Sequence, residues 1–478
     1  MLQDHIVNTI RKELNHIPTF CQGNLITALS EFMLSEKGKE ILLVKGYAGT
    51  GKTTVISAFV RTLQEMKQRS ILLAPTGRAA KVFASYSGTS AYTIHKKIYR
   101  QKNMEDGSGI FDLDKNFHSH TFFIVDEASM ISNQGGESSA FGSGRLLDDL
   151  IEYVNNGLGC KLILVGDTAQ LPPVGLDISP ALDKKVLEGY GFDVKEIVLN
   201  EVVRQSEESG ILFNATRIRG NITTRNKDLP KIITTGFEDV SRVSGADLIE
   251  TLSDAYSKYG MDQTIVVNRS NKRANLYNRG IRNQILAREE ELSIGDMLMV
   301  VKNNYYWLQD NEEVNFIANG DIAQIIRIKK YEELYDFHFA DVTLKFTDYA
   351  NLEIDTKIML DTLSLESASL SGEANKKFFY SVLEDYANIP NHRKKIKMVR
   401  ENPFFNALQV KFAYAVTCHK AQGGQWKAVF IDQGWFDENA VDIEYLRWLY
   451  TAFTRPTEKL YLVNFKDELF EGNMSGGK

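Results

Sequence analysis

Along the first half of the chain, apolar residues gather in short unbroken runs, not in long stripes of helical period. The runs are Ile41–Val44, Ile71–Ala74, Phe122–Val125 and Leu162–Val165. Each is too short for a helix and ends at a Gly, Pro, Asp or Thr turn, which predicts a strand. Helical stretches separate the runs, and strands alternating with helices predict a parallel α/β sheet. Ligands in such sheets sit at the carboxyl ends of the strands. All four runs lead directly into polar residues able to do chemistry.

A second α/β region begins near Gln263, where QTIVVNRSN reads as strand then loop. From Ile294 to Asn406 the texture changes: MLMVVKN, DIAQIIRIKK and DVTLKF are strand-like, which predicts a β-rich insertion. The α/β pattern resumes at Ala413, with strands at Ala428–Ile431 and Leu460–Val463. Ile98 to His120 reads as a polar, hairpin-sized excursion, and Ser132–Gly144 as a mobile surface loop. The parse is a first domain over 1–200 with an excursion at 98–120. A second domain follows over 201–293 and 407–478, interrupted by an insertion at 294–406.

Composition narrows this little. The chain has 478 residues, 43% hydrophobic and 25% charged, ordinary for a soluble globular protein. No apolar run reaches the roughly 18 residues a membrane span needs, and MLQDHIVNTIRKELNHIPTF lacks the apolar core of a signal peptide. Three scattered cysteines, Cys21, Cys160 and Cys418, fit a reducing cytoplasm and argue against a disulfide framework or zinc cluster. The net charge of -6 disfavours coating nucleic acid by bulk charge, and leaves room for a local basic groove.

The strongest chemical signal is Gly46-Tyr47-Ala48-Gly49-Thr50-Gly51-Lys52-Thr53, with Thr54 next, between a predicted strand and a helix. Glycines at this spacing let backbone N–H groups close around phosphate oxygens, and the helix N-terminus adds a favourable dipole. Lys52 would hold the β- and γ-phosphates and Thr53 would ligate Mg²⁺. Asp126-Glu127 follows the strand Phe122–Val125; an Asp there can hold Mg²⁺ through water, and the adjacent Glu127 can polarise the attacking water. In GDTAQLPP (166–173), Gln170 both donates and accepts, which suits sensing a γ-phosphate. Arg204 in LNEVVRQ and Arg455 in LYTAFTRP are guanidinium groups of the kind that stabilise phosphoryl transfer when supplied in cis. Two such arginines in one chain favour a tandem-domain monomer over a ring whose arginine comes from a neighbour. No cluster has the makings of a nuclease metal site.

GYAGTGKT, APTGRAA, TIHK, DEAS, GDTAQLPPV, LNEVVRQ, YAVTCHKAQGGQW and YTAFTR occur in that order. The series resembles the motifs of superfamily 1 helicases, over about Gln22 to Val463. GD-x-x-QLPPV with CHKAQG resembles the RecD/Dda branch, superfamily 1B. The resemblance implies two RecA-like P-loop domains with ATP and Mg²⁺ in the cleft between them. It implies Mg²⁺ and water chemistry at Lys52, Thr53, Asp126 and Glu127, coupling through Gln170, arginine fingers at Arg204 and Arg455, and an adenine contact at Gln22. Gln22 also reads as an ordinary polar residue at a helix start. Strand contacts map onto Pro75, Thr76, Arg78, Thr93 and His95 in the first domain, and Thr417, His419, Lys420 and Gln422 in the second. Such groups suit phosphate contacts, which position a strand without reading it. Tyr92 and Trp426 read equally as base-stacking or core residues. The excursion at 98–120 falls where the family carries a duplex-splitting wedge, with Phe111 and Phe117 as candidate tips. The β-rich insertion falls at its SH3-like barrel, and the basic stretch His392–Lys397 reads as a solvated face or a DNA contact. The implied activity is a monomeric 5′→3′ DNA helicase acting on single strands and single–double-strand junctions.

Overall fold

The computed structural model describes residues 2–14, 16–101, 111–135, 141–202, 209–308, 316–346, 352–435 and 441–471. Its first domain contains β1 (Glu40–Gly46), β2 (Arg69–Ala74), β3 (Ala91–Thr93), a hairpin pair β4 (Tyr99–Gln101) and β5 (Phe111–Leu113), then β6 (Thr121–Val125), β7 (Lys161–Gly166) and β8 (Asp193–Leu199). Six of these form one parallel sheet in the order β3-β2-β6-β7-β1-β8. Successive strand residues face opposite sides, so a strand covered on both faces must be apolar throughout. In β1, Leu42 and Val44 join one core with the helices Leu2–Lys12, Phe20–Leu34 and Lys52–Glu65. Ile41 and Leu43 join the opposite core, with the helix Leu146–Asn155. The unbroken run of four apolar residues is thereby explained.

The second domain holds β9 (Val240–Val243) and β10 (Thr264–Asn268). The chain then leaves to build β11 (Met297–Val300), β12 (Ile322–Leu334), β13 (Phe337–Phe346), β14 (Glu353–Met359) and β15 (Leu408–Phe412), and returns with β16 (Ala415–Thr417), β17 (Trp426–Asp432) and β18 (Pro456–Val463). The domain sheet runs β16-β10-β17-β18-β9, all parallel, and β11 to β15 close into a barrel. Closure leaves no open edge between first and last strand. The barrel takes in Leu408–Phe412, past the Asn406 boundary read from the sequence, because Phe412 pairs antiparallel with Leu298. Buried Asp296 pins the exit and re-entry of this insertion. Its carboxylate accepts from Arg282 Nε at 3.1 Å, Arg288 Nη1 at 2.9 Å and the Tyr414 hydroxyl at 2.9 Å.

The excursion at 98–120 does contain a hairpin, β4 with β5, whose connecting residues 102–110 lie outside the described set. Phe111 is not an exposed tip. It is 5% exposed at the hairpin base, with ring centroids 5.1 Å from Phe141 and 4.1 Å from Tyr305, a residue of the barrel insertion. Phe117 is 84% exposed. The stretch His392–Lys397 opens a helix, His392–Arg400, that buries Val399 and exposes its basic side chains at 392–394.

Candidate ATP site and nucleic-acid interface

β1 ends at Gly46, and the chain turns through 47–51 into the helix Lys52–Glu65. Gly49 and Gly51 both have φ of 75°, a left-handed conformation that costs little only for glycine. At Gly46 the constraint is space, since a Cβ would lie 2.8 Å from the Lys52 side chain. Gly51 caps the helix without any side-chain hydrogen bond, so no side chain competes for the first-turn N–H groups. Those groups and the helix dipole make an anion site. Lys52 Nζ donates to the Tyr47 carbonyl at 2.9 Å, as does Thr50 Oγ1 at 2.8 Å. Thr54 lies half-buried in the same first turn.

Thr53 Oγ1 donates to Asp126 Oδ2 at 3.4 Å, which brings the P-loop to the end of β6. Asp126 Oδ1 accepts from the Glu127 backbone N–H at 2.8 Å, and Glu127 is held at φ 53°. Such a left-handed non-glycine residue stores strain of order 1–3 kcal/mol, a feature that clusters at functional sites. Burial and the neighbouring Glu127 charge push the Asp126 carboxyl above the usual carboxylate range, and Lys52 opposes them only in part. A hard divalent cation would relieve this crowding of negative charge, and the hydroxyl and carboxylate oxygens present suit Mg²⁺. Among the described residues no group of three or more His, Cys, Asp or Glu could hold a metal. A cation here would share its coordination with phosphates and water, as Mg²⁺ commonly does.

Gln22 is fully buried in a capping box. Its Oε1 accepts from Thr19 N at 3.1 Å and also meets His16 Nε2 at 3.1 Å, while Nε2 donates to the Thr50 carbonyl at 3.0 Å. The carboxamide thus bonds both the helix start and the P-loop backbone.

Apart from His95, the expected strand-contact residues divide into three groups. Thr76 and Thr93 cap the helices Gly77–Ser87 and Ile94–Ile98, accepting from Ala79 N at 3.2 Å and Lys96 N at 3.1 Å; Pro75 stands before the first of these caps. Arg78 and Gln422 lie on the seam between domains. The Arg78 guanidinium sits 3.9 Å from the Trp426 ring centre and donates to the Gln425 carbonyl at 3.2 Å, and Gln422 Nε2 donates to the Leu171 carbonyl at 2.7 Å. Trp426 is 2% exposed, which settles it as a core residue. Thr417 and Lys420 form the third group with exposed His419: Thr417 makes no side-chain cap bond, and Lys420 bonds Asn319 of the barrel. Burial and nearby Lys411 push the Lys420 ammonium down to about 8.

His95 packs against Tyr99 and Phe141, at centroid distances of 5.7 and 4.9 Å. Burial pushes its imidazole down to about 4, against the pull of Asp149. It is therefore neutral at neutral pH, a weaker phosphate partner than a charged histidine. The unfolded chain takes up this proton near pH 6.5 and the folded one only near 4. The stabilisation is complete above pH 6.5 and is lost as pH falls toward 4. Relative to His95→Gln, the wild type is expected to lose up to roughly 3 kcal/mol across that window. Urea unfolding at pH 7 and pH 5 measures this; parallel losses in both proteins would refute it.

The Gln170 loop, 166–173, follows β7 and meets the second domain directly. Leu171 N donates to Thr451 Oγ1 at 2.9 Å, and the Tyr450 hydroxyl donates to Asp167 Oδ2 at 2.7 Å. Gln170 is 6% exposed, and its Oε1 is buried with no hydrogen-bond partner among the described residues. Arg204 lies outside the described residues. Arg455 is buried in the second domain, with its guanidinium donating to Thr451 O at 3.0 Å, Gly424 O at 3.2 Å and Thr454 Oγ1 at 2.9 Å. It is not aimed at the P-loop in this conformation. Tyr47, Tyr450 and Thr451 were not among the sequence candidates. YTAFTR marked the helix of Tyr450 and Thr451, Ile443–Phe453, but not which side chain crosses the seam.

Comparison with known proteins fits this layout. Residues 28–226 match the AAA domain family model, and residues 412–463 match the UvrD-like helicase C-terminal domain. Protein R530 of Acanthamoeba polyphaga mimivirus is 25% identical over 90% of this chain and 97% of its own length. The ATP-dependent RecD2 DNA helicase of Deinococcus radiodurans is 25% identical over 66% of this chain and 40% of its own length. The ATP-dependent DNA helicase dda of Enterobacteria phage T4 is 25% identical over 60% of this chain and 63% of its own. The chain thus spans less than two thirds of either helicase. The chain thus carries an AAA domain match followed by a UvrD-like helicase C-terminal match, with a P-loop inside the first. In sequence the chain is similar to the RecD2 and dda helicases, the RecD/Dda-like branch of superfamily 1B.

Proposed function

We propose that the chain is an ATP-dependent DNA helicase that translocates on single-stranded DNA, 5′→3′, and opens duplex at single–double-strand junctions as a monomer. The observation that carries this reading is the Gln422–Leu171 hydrogen bond of 2.7 Å. It joins the strand-contact motif of the second domain to the Gln170 loop beside the nucleotide site, so closing or opening one moves the other. Lys52 and the P-loop amides would hold the phosphates, Thr53 and Asp126 the Mg²⁺, and Glu127 the attacking water. Gln170 would register the γ-phosphate. Arg204 and Arg455 would complete the charge as the domains close, which for Arg455 requires leaving its present carbonyl partners. Thr417, His419 and Lys420 would grip the strand backbone, with Thr76, Arg78, Thr93 and His95 opposite.

Two measurements on one preparation test the reading. ATP turnover should rise strongly with single-stranded DNA, and duplexes with a 5′ tail should open while those with a 3′ tail do not. Turnover indifferent to DNA would overturn the motor assignment, and opening from the 3′ tail alone would overturn the polarity.

A further inference from the structure

The tip of the P-loop does not end in solvent. Tyr47 and Ala48 pack against the hydrophobic core of the second domain. The Ala48 backbone N–H donates to the Tyr450 hydroxyl at 2.8 Å, and that hydroxyl donates in turn to Asp167 Oδ2 at 2.7 Å. The other oxygen of Asp167 accepts from Ala169 N at 2.9 Å, within the Gln170 loop. One phenol of the second domain therefore joins two nucleotide-site loops of the first. Tyr450 is 1% exposed and Asp167 likewise, so neither bond has water to replace it. Burial and Asp167 hold the Tyr450 hydroxyl well above the usual phenol range, so it remains a donor at any working pH. Arg219 holds the same tip from the helix Gly210–Thr224: its guanidinium carbon lies 4.4 Å from the Tyr47 ring centre, and its buried Nη1 has no hydrogen-bond partner among the described residues.

We propose that Tyr450 is a positioning residue for ATP hydrolysis, through which the second domain sets the P-loop and the Gln170 loop together. Nucleotide phosphates organise the P-loop amides, so a change at Ala48 shifts the bond to Tyr450 and with it Asp167. In the other direction, a strand gripped by the second domain moves the helix Ile443–Phe453, and one displacement reaches both loops. The tyrosine touches neither phosphate nor water; it acts through the two loops.

The inference rests on the ATP-motor reading, and the test separates the two. Wild type, Tyr450→Phe, Asp167→Asn and the double variant of the full chain are compared for ATP turnover with and without single-stranded DNA. Phenylalanine keeps the ring and its packing but leaves the Ala48 N–H and the Asp167 oxygen without this partner, so the melting temperature should fall by a few degrees while the chain stays folded at the assay temperature. The DNA-stimulated kcat of Tyr450→Phe should fall about tenfold with KM for ATP little changed, the loss of a buried hydrogen bond to a charged group. Because both substitutions break one chain of bonds, the double variant should lose no more than the worse single. Hydrogen exchange of the peptide spanning 46–52 should quicken in Tyr450→Phe. An undiminished DNA-stimulated kcat, losses that multiply in the double variant, or unchanged exchange would each overturn the role of Tyr450. A wild type that DNA does not stimulate would instead overturn the motor reading.

Discussion

Alanine in place of Lys52 is expected to lower ATP turnover by roughly 10²–10³-fold or more, the scale set by removing one charge-stabilising donor from a phosphoryl-transfer site. The fold should survive. Lys52 makes no ion pair with a carboxylate among the described residues; its ammonium donates to the Tyr47 carbonyl at 2.9 Å. Alanine is the best helix former, so the first turn of Lys52–Glu65 loses nothing in propensity. The proposed strand-contact residues lie on other loops, and single-stranded DNA binding should persist. Steady-state turnover at saturating DNA, with fluorescence anisotropy on a labelled oligonucleotide, measures both effects. Turnover within about tenfold of wild type would remove Lys52 from the phosphate site.

Glutamine at position 127 should separate binding from chemistry. Loss of a general base is expected to lower turnover by about 10²–10⁴-fold. The amide matches the carboxylate in size but cannot take the proton from water. The backbone at φ 53° is as strained for Gln as for Glu, so melting should not change. Removing the Glu127 charge also removes one of the forces that raise the Asp126 carboxyl, which should leave Asp126 more readily ionised and metal binding at least as tight. The variant should therefore retain ATP in a filter-binding assay while failing to release phosphate. Retention with normal release would assign the base to another group.

The site was legible in the sequence wherever chemistry is local. The glycine spacing of 46–51 states its own geometry, because positive φ and a close backbone approach admit little else. Asp126 and Glu127 were placed correctly at the end of β6, since five buried residues in a row leave the strand end as the first polar exit. The edge strands β3 and β16, three residues each, were not legible as strands, because their pairing comes from β2 and β10. Phe111 illustrates the same limit: a phenylalanine in a polar excursion reads as an exposed tip, and only the approach of Phe141 and Tyr305 buries it. Thr76 and Thr93 read as strand contacts and prove also to be helix caps, a use that depends on where each helix begins.

By itself the sequence determined the P-loop, its candidate metal and base residues, the alternation of strand and helix, and an ordered motif series that resembles superfamily 1B helicases. Each depends on residues near one another along the chain. The tertiary structure alone decided which groups meet across the two domains: Gln422 with Leu171, Thr451 with the Leu171 amide, and Tyr450 with Ala48 and Asp167. It also decided that Arg455 faces its own domain in this conformation and that Gln22 braces the P-loop. Hydrogen bonds between residues hundreds of positions apart leave no periodicity to read, because nothing in local spacing records which two surfaces fold together.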